Sequence, residues 1–448
     1  MIDTRARRLR YHRSRRARRC PITTLIAGPT QEDHASEPLS VDELGVNRAI
    51  VRDIALKTLF YDGRASRPQL ARALKLSLPA VDDVVHTLTR DGLAAPYVGE
   101  TTDGQAYALT ALGYARAEEA LRRNSYVGPV PVPLSAYVAQ VRKQGTGDAR
   151  LVRNDVARAL SALVLPEATV QRIAWAAESR KPLLIHGASG NGKTTIAHIL
   201  GGLLGGTIRI PYAIEMMGQI VRVFDESKHR AVAREDGGAE DDLRSRGDRR
   251  WVEVERPVIW CGGELNASSL ELTYDADTRL YEAPLQLKAN GGILIIDDLG
   301  RQQVPAVQLL NRWIVALESQ VDHLTLHTGQ MAEMPFDVVL VFSTNLPPEH
   351  LADEAFLRRI RYKVRVENPT ADEFRDIFRR ECYARGVLCD ERIVEDVLRR
   401  WYGDGRELRG CHARDILDGV ADLLGAPAGA RTSLTPELVD EACAAYFL

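Results

Sequence analysis

Residues 182–194 read Pro-Leu-Leu-Ile-His-Gly-Ala-Ser-Gly-Asn-Gly-Lys-Thr. Pro182–His186 is a short apolar run with the pattern of a buried strand, and Ile196, Ile199, Leu200 and Leu203 repeat downstream at helical spacing. Between them Gly187, Ala188, Ser189, Gly190, Asn191, Gly192, Lys193 and Thr194 complete the pattern GxxxxGK(S/T), and Thr195 follows. Phosphate chemistry needs that combination. Glycines let successive backbone N–H groups wrap the phosphates at a helix N-terminus, Lys193 neutralises β/γ charge, and the Thr194 hydroxyl ligates Mg²⁺.

Working downstream, Gly292-Ile293-Leu294-Ile295-Ile296-Asp297-Asp298 is a buried-strand pattern ending in two carboxylates. Its bland alternative is a pair of acids capping the next helix. A further apolar strand, Val338–Phe342, runs into Ser343-Thr344-Asn345. Asp353–Ile360 carries Arg358 and Arg359 before an apolar residue, and Gly403-Asp404-Gly405-Arg406-Glu407-Leu408 precedes a helical stretch.

Taken in order, these elements resemble the AAA+ family of P-loop ATPases over residues 150–448. The resemblance implies ATP and Mg²⁺ as ligands, with Asp297 in the metal shell beside Thr194. It implies that Asp298 orients the attacking water, where most members carry a glutamate, and that Asn345 contacts the γ-phosphate or water. Arg359, in preference to Arg358, matches the finger that a subunit presents to its neighbour. Arg406 matches the nucleotide-sensing arginine of the lid, with Arg409 and Arg414 as neighbours able to do the same work. A finger in trans implies a homo-oligomer, expected to be a hexamer. Leu270–Pro284 and Leu324–Phe336 read as hairpins, similar to insertions of the branch holding sigma-54 enhancer-binding ATPases, MoxR-like chaperones and magnesium chelatase. The enhancer-binding Gly-Ala-Phe-Thr signature is absent. Glu226–Arg250 reads as a charged surface loop.

Upstream, Val51, Ile54, Ala55 and Leu59 form one helical face, Arg67–Leu74 a second helix, and Val81, Val84, Val85 and Leu88 a third. Leu93–Val98 and Gln105–Thr110 follow as strands, then a helix over Ala111–Arg123. This resembles a winged-helix domain over residues 41–125. Its third helix would display Asp82, Asp83, His86, Thr87, Thr89 and Arg90, and two acids there repel nucleic-acid phosphate, so DNA binding is expected to be weak. The Pro-rich run Gly128–Pro133 predicts an extended linker over 126–150. Residues 4–19 hold nine arginines and no acid, which predicts a disordered tail through residue 40.

The 448 residues are 45% hydrophobic and 27% charged with net charge −2, the profile of a globular protein of more than one domain. No apolar run reaches membrane-helix length. Six scattered cysteines lack metal-ligand spacing, which suggests reduced thiols in the cytoplasm. The expected architecture is an α/β phosphate-loop sheet over 151–366, an α-helical lid over 367–448 and the winged helix in front. The expected activity is ATP hydrolysis that remodels an unknown protein client, with an ATP-switched DNA-binding regulator or loader as the alternative.

Overall fold

The computed structural model describes residues 36–97, 104–145, 151–232, 247–351, 354–388, 390–425 and 434–447. The arginine-rich stretch, residues 98–103 of the expected wing and Asp353 lie outside the described residues. Five strands form a wholly parallel sheet: β1 (Leu183–Gly187), β2 (Val258–Cys261), β3 (Ile293–Ile296), β4 (Val339–Thr344) and β5 (Tyr362–Val366), in the order β2-β3-β4-β1-β5. Alternation along the strands feeds two cores. Leu183, Ile185, Ile293, Ile295, Val339 and Val341 pack with the helices Arg153–Leu160, Glu167–Ser179 and Lys193–Gly202. Leu184, Leu294, Ile296, Leu340 and Phe342 face the opposite way, toward Leu309, Leu310, Trp313 and Phe356. Burial on both faces explains why β3 is all aliphatic, at roughly 1.5–3 kcal/mol per large side chain.

A second five-stranded sheet is assembled from remote pieces, in the order Thr273–Asp275, Leu280–Glu282, Gln219–Arg222, Ala213–Met216, Val132–Pro133. Two expectations are corrected here, the linker and the surface loop. The 126–150 segment is no free linker over its described part: Val132–Pro133 pairs in parallel with Ile214–Glu215, and the helix Leu134–Lys143 buries Tyr137 and Val141. Both hairpins form, but neither stands free. Thr273–Asp275 and Leu280–Glu282 end the second sheet, and Val321–Thr325 with Met331–Pro335 buries Leu324, Ala332 and Met334 in that sheet's core. Finally, the described flanks of 226–250 are not surface loop, because His229, Asp248 and Arg250 are buried.

The N-terminal unit runs helix Arg48–Asp62, strand Arg64–Ser66, helices Arg67–Leu74 and Leu78–Arg90, strands Ala94–Pro96 and Ala106–Leu109, and helix Ala111–Arg123. Its three strands form an antiparallel sheet with Ala106–Leu109 in the middle. Ser66 and Gln69 form a reciprocal capping box, and Ser77 caps the third helix. Packing begins before residue 41, a correction to the expected tail: Glu37 is buried against Arg249, and the Pro38 carbonyl accepts from Ser77 Oγ at 2.6 Å. Four helices, Ala371–Ala384, Glu391–Tyr402, Gly410–Leu423 and Pro436–Tyr446, enclose a separate C-terminal core around Phe374, Phe378, Ile416 and Val439. No helix among the described residues is long and apolar enough to cross a membrane.

Candidate active site

The loop after β1 lies at a topological switch point, since β1 is flanked by β4 and β5 while the chain continues elsewhere; open parallel sheets bind ligands beyond such strand ends. Gly187 has φ 138°, and a Cβ there would fall 2.3 Å from the Val366 carbonyl oxygen, so only glycine lets the loop turn against β5. Gly190 and Gly192 also adopt positive φ, 83° and 82°. The helix Lys193–Gly202 starts directly behind them. Lys193 is buried, its Nζ donates to the Ala188 carbonyl at 2.8 Å, and burial lowers its pKa against the pull of Asp298 and Asp297.

Thr194 Oγ1 lies 2.9 and 3.1 Å from the two carboxylate oxygens of Asp297, so residues 103 positions apart in sequence converge under the loop. Ser343 Oγ donates to Asp297 Oδ1 and receives the Asp298 N–H at 3.3 Å, bridging both acids. Asp298 itself has φ 50°, an uncommon conformation outside glycine, which turns the chain sharply at the end of β3. Its Oδ1 accepts from Asn345 Nδ2 at 3.1 Å. Gln302 buttresses the turn: its Nε2 donates to the Gly262, Asp297 and Asp298 carbonyls, and its Oε1 takes the Gly300 N–H at 2.7 Å.

A cavity of about 360 Å³ joins these groups. Ser189 to Thr195, Asp298 and Asn345 line its polar end; Leu163, Val164, Leu165 and Ile377 line an apolar end; Arg380, Gly410, Cys411 and Arg414 close it from the C-terminal unit. The structure thus brings together the phosphate loop, Asp297, Asp298 and Asn345. It does not bring Arg406 there. That guanidinium stacks 4.1 Å over the Phe447 ring, whereas Arg414 lines the cavity and Arg409 donates to Asn368 Oδ1 at 3.2 Å. Neither Arg358 nor Arg359 lines the cavity; Arg359 pairs with Glu318, and Arg358 with Glu354 at 2.6 Å. Sequence reasoning missed Leu163, Leu165, Ile377 and Arg380. No motif marks them, and the one available signal is the apolar Leu163-Val164-Leu165 run just upstream of Pro166.

Residues 370–445, essentially the C-terminal helical unit, match a family model described as a domain of unknown function, DUF8689. No curated protein sequence matches the chain. Among solved structures, the chain is similar to the RuvB Holliday junction branch migration motor of Thermotoga maritima, at 16% identity over 62% of this chain and 68% of that one, with a TM-score of 0.35. It is also similar to NtrX from Brucella abortus in complex with ADP, at 13% identity over 73% of this chain and 66% of that one, with a TM-score of 0.37. At these values both likenesses are too loose to bear on the site's chemistry.

Proposed function

We propose that the chain is an AAA+ ATPase that binds Mg²⁺-ATP at residues 187–195 and hydrolyses it as a ring oligomer, remodelling a protein client. The observation that carries this reading is the meeting of the Thr194 hydroxyl with the Asp297 carboxylate beneath a complete phosphate loop. A hydroxyl beside one carboxylate fits Mg²⁺, which keeps most of its shell for water and phosphate oxygens. When bound, the metal supplies charge neutralisation between the β- and γ-phosphates. Lys193 adds the fixed positive charge, and Asp298, held by Asn345, orients a water and takes its proton. The lid arginine's role falls to Arg414, which lines the cavity while pairing with Asp415 at 2.9 Å, rather than to Arg406. Arg359 serves a neighbouring subunit by exchanging its Glu318 partner.

The N-terminal unit has the element order of a winged helix and acts as a fixed adaptor. Asp83 on its third helix accepts the Val41 N–H at 3.2 Å and Asp82 pairs with Arg67 at 3.1 Å, so that helix offers acids and their partners rather than a basic groove-reading face.

The test is ATP turnover with particle size measured alongside. Lys193→Ala should lose ATP affinity, Asp298→Asn should bind normally and turn over about 10²-fold slower or worse, and Arg359→Ala should bind but hydrolyse poorly. Arg358→Ala separates the two finger candidates. A protein that hydrolyses ATP at full rate as a monomer with Arg359 replaced contradicts the ring reading.

A further inference from the structure

One loop residue has a side chain that the phosphate reading does not use. Asn191 is buried, and its amide bonds to the C-terminal unit and to the segment leading into it. Its Oδ1 accepts the Gly410 N–H at 3.0 Å, and its Nδ2 donates to Asn368 Oδ1 at 2.8 Å. The amide orientation follows from these partners: a flipped Asn191 would set its NH₂ against the Gly410 N–H. Asn368 is fixed the same way, because its Oδ1 also receives Arg409 Nη1 at 3.2 Å. The adjacent Gly190 carbonyl accepts the Cys411 N–H at 2.7 Å.

These partners sit at the entry to the C-terminal unit and at the start of its third helix. Asn368 sits two residues past β5, at the only peptide connection to the helices that follow, and Gly410 opens the helix that carries Arg414 one turn later. Residues four apart share a helix face, so Gly410 and Arg414 move together. Among the described residues the C-terminal core shares no buried cluster with the sheet, so these bonds are a large part of what sets its angle to the loop.

We propose that Asn191 is a positioning residue that couples the phosphate loop to the C-terminal helical unit. Phosphate binding reorders the backbone of residues 189–192, the Asn191 amide carries that shift to Asn368 and Gly410, and Arg414 is thereby brought to the phosphates. This rests on the Mg²⁺-ATP reading above. Asparagine suits the task because its amide carries an acceptor and a donor on separate atoms, one for each partner. Aspartate at this position would set an oxygen against Asn368 Oδ1, and alanine would drop both bonds.

The test is amide hydrogen exchange on the full chain with and without Mg²⁺-ATP, paired with steady-state kinetics. In the wild type, Mg²⁺-ATP should slow exchange across 366–372 and 408–415 about tenfold or more. Asn368→Ala changes no loop residue and removes only the acceptor for Asn191 and Arg409; it should keep ATP affinity within about threefold, lose most of that protection and lower kcat about five- to tenfold, the effect of one or two hydrogen bonds. Asn368→Asp keeps the acceptor and should restore both toward wild type. Asn191→Ala should reproduce the loss of protection from the other end of the bond. Normal nucleotide-dependent protection and kcat in Asn368→Ala overturn the coupling alone. Wild-type protein that binds no Mg²⁺-ATP overturns the coupling and the ATPase reading together.

Discussion

The two junctions of the molecule are built differently. At the N-terminal junction, Arg250 is 4% exposed and paired with a buried Asp248 at 2.8 Å, and it donates to the Leu44 and Pro131 carbonyls at 3.0 and 3.2 Å. Leu44, Leu76 and Val130 share one continuous core with Ala213, Ile220 and Leu280 of the second sheet. At the C-terminal junction the described residues form no shared core. The helices have their own, and they meet the phosphate loop through hydrogen bonds at Gly190 and Asn191 and the segment after the helix Arg153–Leu160 through the 161–162 carbonyls. A junction sealed by core and buried charge opens only with unfolding. One held by single hydrogen bonds opens at a cost near 1 kcal/mol per bond, a scale that ligand binding can supply. On this contrast the N-terminal unit is expected to stay a fixed appendage of the sheet, and the C-terminal unit is the part expected to move.

The largest test of this contrast is Arg250→Ala, which strands the buried Asp248 carboxylate. Loss of one partner from such a pair costs about 3–5 kcal/mol. Thermal unfolding should shift down strongly, and hydrogen exchange across 48–123 should accelerate as the N-terminal unit detaches. If that unit keeps its protection, the weld is elsewhere.

A second test uses Lys57, buried in the same unit with Nζ bonded to Asn124 Oδ1 at 2.7 Å and to the Asn124 carbonyl at 3.2 Å. Burial lowers its pKa from 10.5 to about 8, partly opposed by Asp53. A lowered lysine pKa means the unfolded chain binds more protons between pH 8 and 10.5, so this group's contribution to stability rises across that window and is flat below it. The gain is about 3 kcal/mol at most. Comparing wild type with Lys57→Met from pH 7 to 10.5 isolates it: the wild type should gain on the variant as pH rises, and parallel curves would show that Lys57 is solvated.

What was legible in the sequence divides along physical lines. The phosphate loop, β3 with its two acids, and β4 with Asn345 could be read because each is a local pattern of backbone need or two-sided burial. The second sheet could not, since its strands are two to four residues long and pair across remote segments. The prolines of 129–133 suggested a solvated linker, yet Val130 and Val132 between them are buried. Proline lacks a donor, which suits an edge strand as well as it suits a linker, and Val132–Pro133 is such an edge. Asp248 and Arg250 looked like surface charges because their mutual pairing is invisible until Leu44 and Pro131 close over them. Arg406 sits in the expected motif, but the Phe447 ring that captures it comes from the far end of the chain.

The smallest effect falls on the movable junction. Arg380, on the first C-terminal helix, donates from Nη1 to the Ser161 carbonyl at 2.8 Å and the Ala162 carbonyl at 3.1 Å, drawing that helix against the apolar end of the cavity. Both acceptors are exposed, so water replaces the guanidinium readily and Arg380→Ala should cost little global stability, within about 1 kcal/mol. The same bonds hold Ile377 opposite Leu163 and Leu165, the walls available to a nucleotide base. Loosening that wall should weaken ATP binding about three- to tenfold, with the unfolding midpoint nearly unchanged. Calorimetric titration of Mg²⁺-ATP beside a thermal melt separates the two quantities. If Arg380→Ala lowers the melting temperature as much as Arg250→Ala does, the C-terminal unit is welded as firmly as the N-terminal one, and the contrast between the junctions fails.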